Sequence, residues 1–236
     1  LMGAAQHVAA PGTVILPATA PRGFPYIANR AEAQIAGAIA LETLAERAGT
    51  YDAAIIAAFG DPGLFAAREL FDVPVIGMSE AAMLTACMLG KRFGIVSFAA
   101  QMAPWYAECV ESHGLMGRCA GIHCLDGGFT SVADVQEEKE AALVALANTA
   151  AAGGADVVIL AGAPLAGLAA NVAVQVPVPL VDQVQAALKQ AETLATLRPM
   201  KARAGGFRRP PAKMASGLAP ALAARFDPGN GPERNG

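Results

Sequence analysis

The chain is short of charge and of aromatic rings. Only 16% of its 236 residues are charged and 6% are aromatic, whereas 54% are hydrophobic. Much of it must therefore be interior, and the length suits one large domain or two small lobes. Long apolar runs are also missing. None reaches the roughly 18 residues that a spanning helix needs, so no membrane partner is expected. No charged segment followed by an apolar core opens the chain, so no secretory signal is read. Four cysteines (Cys87, Cys109, Cys119 and Cys124) are too few for a disulfide framework in a chain this size, and the expected compartment is the cytoplasm. Cys119 and Cys124 have no second pair and no nearby His pair, so no metal site is expected.

The net charge of −3 is unevenly spread. Residues 198–236 carry eight Lys/Arg against two Asp/Glu, and the rest carries nine against eighteen. The tail, with its Gly206-Phe-Arg-Arg-Pro-Pro211 run, is thus +6 on a body of −9. Phe207 and Phe226 are its only aromatics, too few to interleave eight cations as a nucleic-acid surface does, which argues against nucleic acid. Mobility or packing against its own acidic body is the expectation.

What is present is alternation. Thr13–Ala18, Ala53–Ala58, Val73–Ile76, Phe93–Phe98 and Cys119–Leu125 read as strands, and helical patterns lie between them. Asn29 caps the helix to Arg47, Ser79 the helix to Leu89, and Asp134 with Glu137 forms a capping box for the helix to Ala152. Strands alternating with helices imply an α/β fold with parallel sheets. The chain opens on Leu1 inside a helical pattern, from which a preceding strand is expected.

One stretch occurs twice. Tyr51-Asp-Ala-Ala-Ile-Ile-Ala-Ala-Phe-Gly-Asp-Pro-Gly-Leu64 matches Ala155-Asp-Val-Val-Ile-Leu-Ala-Gly-Ala-Pro-Leu-Ala-Gly-Leu168, with Asp52 on Asp156 and Gly63 on Gly167. Each copy is a buried strand running into a tight turn and a helix N-terminus, a junction that aims backbone N–H groups at one spot. Two copies imply two pseudo-symmetric lobes, each a small parallel sheet flanked by helices, with the site in the cleft between them. The expected divisions are residues 1–92, residues 93–180, a helix at 181–197 packing back on the lobes, and the tail.

Phe59-Gly-Asp-Pro-Gly-Leu64, Pro74-Val-Ile-Gly-Met-Ser-Glu-Ala-Ala82 and Gly90-Lys-Arg-Phe-Gly-Ile-Val-Ser97 resemble the aspartate/glutamate/hydantoin racemase superfamily, in its hydantoin and allantoin branch. The resemblance covers about residues 1–197. It implies two α/β lobes, no cofactor, a homo-oligomer, and two cysteines on opposite faces of the substrate carbon. Inversion needs such a pair: one base removes the carbon-bound proton and a second acid delivers another from behind. The family's first cysteine position is Ala58 here and its second is Gly162, so both thiols are absent.

Asp61, Ser97 and Cys124 are the remaining weak candidates for acid/base work, Cys124 for a one-base reaction of decarboxylase type. Asp61 and Glu80 also read as helix caps, Ser97 as a cleft-lining hydroxyl, and Cys124 as a small buried hydrophobe. Cys87 and Cys109 read as core, His113 as surface, and His123 as a strand residue beside Cys124. Tyr26, Phe59, Gly60, Asp61, Ser97, Ala163 and Pro164 are the expected contacts for a small anionic or polar molecule. Two functions follow: an isomerase acting on a small amino acid, carboxylate or cyclic ureide without the two thiols, or a ligand-binding protein on the same scaffold.

Overall fold

The computed structural model describes residues 1–227. In chain order the elements are α1 (Met2–Val8), α2 (Arg30–Glu46), β1 (Ala54–Ile56), α3 (Leu64–Leu70), β2 (Val75–Gly77), α4 (Met78–Leu89), β3 (Phe93–Ser97), α5 (Ala103–Ser112), β4 (Cys119–Cys124), α6 (Val135–Ala152), β5 (Val157–Ala161), α7 (Leu168–Val172), β6 (Leu180–Asp182), α8 (Gln183–Leu197) and α9 (Pro220–Phe226). Every strand pair is parallel. β1 pairs with β2, and a second sheet runs β4-β3-β5-β6. No described helix is long and apolar enough to cross a membrane.

The fold repeats as the sequence does. Ile55 sits opposite Ile76 in one sheet and Ile159 opposite Val181 in the other. Gly63 and Gly167, at φ +78° and +89°, N-cap α3 and α7 in the left-handed conformation that glycine adopts without Cβ strain. β3 and β5 are buried along their whole length, as strands covered by helices on both faces must be. α8 packs against α1 and α4 and reaches both sheets, so it ties the halves together.

Several local expectations change. Thr13–Ala18 forms no strand, because no partner strand lies beside it among the described residues; Val14 and Leu16 face solvent. Glu192 holds that segment's start, accepting from Ala10 N at 2.8 Å and Thr13 Oγ1 at 2.7 Å. Asn29 caps α2 as expected: its Oδ1 accepts from Glu32 N at 3.0 Å, while Glu32 Oε2 accepts from Ala28 N at 2.7 Å. Asp134 makes no such bond, because its carboxylate takes the Ser131 hydroxyl at 2.7 Å instead.

Nor does Ser79 cap α4. Asp61, expected to cap α3, caps α4 from across the turn, accepting from Ser79 N at 2.8 Å and Glu80 N at 2.9 Å. Gly77 leaves the room for this. A Cβ there would lie 2.3 Å from Asp61 Oδ2.

The described part of the tail is docked. α9 packs on α2 and buries Leu222 in the small core around Leu64, Leu70 and Phe71. Arg209 pairs with Asp72 at 2.7 Å, Arg225 lies over the Phe71 ring, and Lys201 donates to the Arg68 carbonyl. The tail therefore covers the outer side of the first sheet. Residues 228–236 lie outside the described part.

Leu222→Ala is expected to lower unfolding free energy by about 2 kcal/mol, the low end for a buried leucine because the helix is short. Urea denaturation measures it; a change below about 0.5 kcal/mol, the range of an ordinary surface substitution, would mean that α9 does not dock.

Candidate functional site

The two repeated turns meet at one cavity of about 360 Å³. Ala57, Ala58 and Phe59 line it from the first turn, and Gly162, Ala163 and Pro164 from the second. Phe98, Met102 and Tyr106 form a third wall, with Phe24 and Tyr26 on the loop before α2. No lining side chain is an acid, a lysine, an arginine or a histidine. Of the expected anionic or polar ligands, an anionic one would therefore meet no ionised side chain among the described lining residues, and the two tyrosine hydroxyls are the side-chain O–H donors there. Burial pushes the Tyr106 hydroxyl up, so it stays a neutral donor, and it points at Met102 Sδ at 3.3 Å. Tyr26 stacks edge-on with Phe129 and accepts from Gln101 Nε2 at 3.4 Å.

Three expected contacts and the acid/base candidate Cys124 lie behind the wall rather than on it. Ser97 is fully buried and donates its hydroxyl to the Ala161 carbonyl at 2.9 Å, a bond between adjacent strands. Gly60 faces the Trp105 indole, which leaves no room for a side chain. Asp61 is committed to α4. Cys124 ends β4 away from the lining, and burial pushes its thiol up to about 11, so it is a poor base near neutrality. Phe98, Met102 and Tyr106 were not among the expected contacts. Their one sequence signal is the Met102–Tyr106 spacing of four on the helix that follows β3, which by itself reads as core.

Backbone groups supply the polar contacts. Around the turns, Gly60 N donates to Ser79 Oγ at 3.2 Å and Gly162 N to Gln183 Oε1 at 2.9 Å. Gly167 N donates to Asp182 Oδ2 at 2.5 Å. Phe59 N and Ala163 N have no acceptor among the described residues. They sit at matching positions of the two copies, next to Ala58 and Gly162, in residues that line the cavity from its two sides.

The two thiol positions are not equivalent. Ala58 is half-buried with ordinary backbone geometry. Gly162 has φ +112° and ψ 134°, a region that L-residues rarely adopt. A Cβ on it would lie 2.7 Å from Phe98 Cε1. The second position has thus lost its thiol and also the backbone and space that a thiol requires.

Behind Phe59 and Tyr106 lies a buried polar cluster that the sequence did not announce. His113, expected at the surface, has a side chain only 5% exposed. Its Nε2 lies 3.3 Å from Asp61 Oδ2 and its Nδ1 3.4 Å from Glu80 Oε1. Arg68 donates Nη1 to Glu80 at 3.0 Å and Nε to the Val75 carbonyl at 2.9 Å. Burial disfavours the imidazolium, but the bonds to Asp61, Cys109 and Glu80 outweigh it and hold His113 well above the usual histidine range. Burial likewise opposes the Glu80 charge, and the bonds from His113 and Arg68 overcome it, leaving the carboxyl well below its usual range.

Paired strand–turn–helix halves around one cavity define a two-sheet α/β protein. The comparisons place it further. The Asp/Glu/Hydantoin racemase family matches residues 2–191, and the chain belongs to that family. A hydantoin racemase of Paenarthrobacter aurescens is 34% identical over 216 residues, spanning 89% of this chain and 90% of that one. The allantoin racemase from Klebsiella pneumoniae superposes with a TM-score of 0.86 at 33% identity, covering 93% and 91% of the two chains. Allantoin racemase from Pseudomonas fluorescens gives 0.82 at 28% identity, covering 91% and 92%.

Two outcomes test this geometry. Ala58→Cys is expected to leave the melting temperature nearly unchanged, whereas Gly162→Cys lowers stability by about 1–3 kcal/mol through strain and overpacking. Equal effects in thermal unfolding would contradict the asymmetry. Iodoacetamide labelling of Cys124, followed by peptide mapping, is expected to accelerate about tenfold per pH unit from pH 8 to 10, as thiolate forms below a raised pKa; a plateau by pH 9 would refute the burial argument.

Proposed function

We propose that this chain is a cofactor-independent racemase-type enzyme acting on a neutral, hydantoin-like cyclic ureide, by a route that uses no cysteine pair. The observation that carries this is the uncharged cavity with Phe59 N and Ala163 N at matching places on its two sides. The names of the relatives that this chain matches over nearly its whole length support the ureide class. The carbon-bound proton of a hydantoin is acidic because its removal gives an enolate. Donors on the carbonyl oxygens lower that barrier without a strong base at the carbon. Solvent water or hydroxide takes the carbon-bound proton, and the hydroxyls of Tyr106 and Tyr26 are the groups in reach to return one to the carbon. An aspartate or glutamate would bring two carboxylates into a cavity whose described lining side chains include no cation, which disfavours amino-acid substrates.

The same reading includes a homo-oligomer in the cytoplasm. Exposed Leu84, Met88 and Leu89 on α4 support the former, and four free thiols the latter. It also adopts the divisions at residues 1–92, 93–180, 181–197 and 198–236.

Proton NMR in D2O tests the reaction. The enzyme is expected to exchange the stereogenic C–H of 5-substituted hydantoins or allantoin at least about tenfold above buffer, well under what a matched acid–base pair supplies. Tyr106→Phe should cut that rate, and aspartate and glutamate should show no exchange. Binding seen by thermal shift with no exchange of any ureide would overturn the enzymatic reading and leave a ligand-binding protein.

A further inference from the structure

The buried cluster behind the cavity plays no part in the reaction proposed above, and its composition is that of a metal-ligand set. Asp61, Cys109 and His113 bring a carboxylate oxygen, a sulfur and an imidazole nitrogen within 4.8 Å of one another. All three side chains are shielded from solvent. Tetrahedral zinc, with bonds of about 2.0–2.2 Å to N and O and about 2.3 Å to S, holds its ligand atoms roughly 3.3–3.7 Å apart. The 3.3 Å between Asp61 Oδ2 and His113 Nε2 already meets that spacing. Cys109 and His113 are four residues apart at the end of α5, so one helix face presents both.

The surroundings fit as well. His113 Nδ1 faces Glu80 Oε1, and Arg68 holds that carboxylate in turn. A carboxylate on the far nitrogen fixes the ring and tautomer of a metal-bound histidine. Ser79 Oγ lies 3.2 Å from Cys109 Sγ, where a hydroxyl donor stabilises a thiolate.

We propose that Asp61, Cys109 and His113 bind one zinc-class divalent cation. It braces α5 and the start of α4 against the turn that carries Phe59. The site does not touch the cavity, and the inference stands independently of the proposed reaction.

The full chain, reduced and stripped with a chelator, is titrated with Co2+ and then with Zn2+. The expected result is one Co2+ per chain, with a near-ultraviolet thiolate-to-metal band and the strong visible bands of tetrahedral cobalt, both displaced by Zn2+. Zinc should raise the melting temperature by several degrees. Cys109→Ala, shown to be folded by circular dichroism, should lose the thiolate band, and Cys124→Ala should keep it. Zinc-edge X-ray absorption of the unmutated protein should show one sulfur at about 2.3 Å whether or not the variant folds. Substoichiometric uptake, a spectrum without sulfur, or a band that survives Cys109→Ala overturns the proposal and leaves the cluster as hydrogen bonds alone.

Discussion

Each half of this protein depends on one carboxylate that joins a turn to the second helix after it. In the first half Asp61, on the turn after β1, takes the N–H groups of Ser79 and Glu80 at the start of α4. In the second half the carboxylate comes from the opposite partner. Asp182, at the end of β6, takes Val184 N and Gln185 N on one oxygen and reaches back to Gly167 N on the turn with the other. By strand register Gly77 and Asp182 are equivalent, opposite Ile56 and Leu160. The acid has moved between two sites, yet the link it makes is the same. Helix N-termini leave several N–H groups without partners, and a buried one must find an acceptor. That need sets the turn against the helix, and the turn places the cavity wall.

The cavity inherits its character from this arrangement. Because Asp61 and Asp182 are used up inside the scaffold, neither reaches the ligand space. The groups left at the wall are aromatic rings, small side chains and two backbone donors. Such a site orients a polar but uncharged ring and offers hydrogen bonds to its carbonyls. It differs from the two-thiol arrangement implied by the resemblance in more than composition. At Ala58 a methyl group stands where sulfur would; at Gly162 the backbone has turned to φ +112° and Phe98 fills the space. The two halves, alike in their strands, have diverged most where the family's chemistry lies.

Much of the frame was legible. The repeat of Tyr51–Leu64 in Ala155–Leu168 announced two strands, each running into a turn and a helix start, because these are short-range consequences of local residues. The cap at Asn29 was legible for the same reason. The strand reading of Thr13–Ala18 failed because a strand needs a neighbour, which no local pattern supplies. Asp61 was read as the cap of the next helix in sequence, but Gly77 opens a nearer path to α4. The basic tail read as mobile or packed against its own body, and its docking rests on Leu222 and on cations that meet Asp72, Phe71 and the Arg68 carbonyl.

By itself, the sequence determined the α/β alternation, the duplication, and the absence of both thiols, since periodicity, repetition and residue identity are properties of the string. Only the tertiary structure decided which polar groups meet. His113 precedes a helix-ending glycine and reads as surface, yet it is buried between Asp61, 52 positions earlier, and Glu80. A burial pattern follows from side-chain hydrophobicity along one element. A polar cluster depends on three elements converging, and packing alone specifies that.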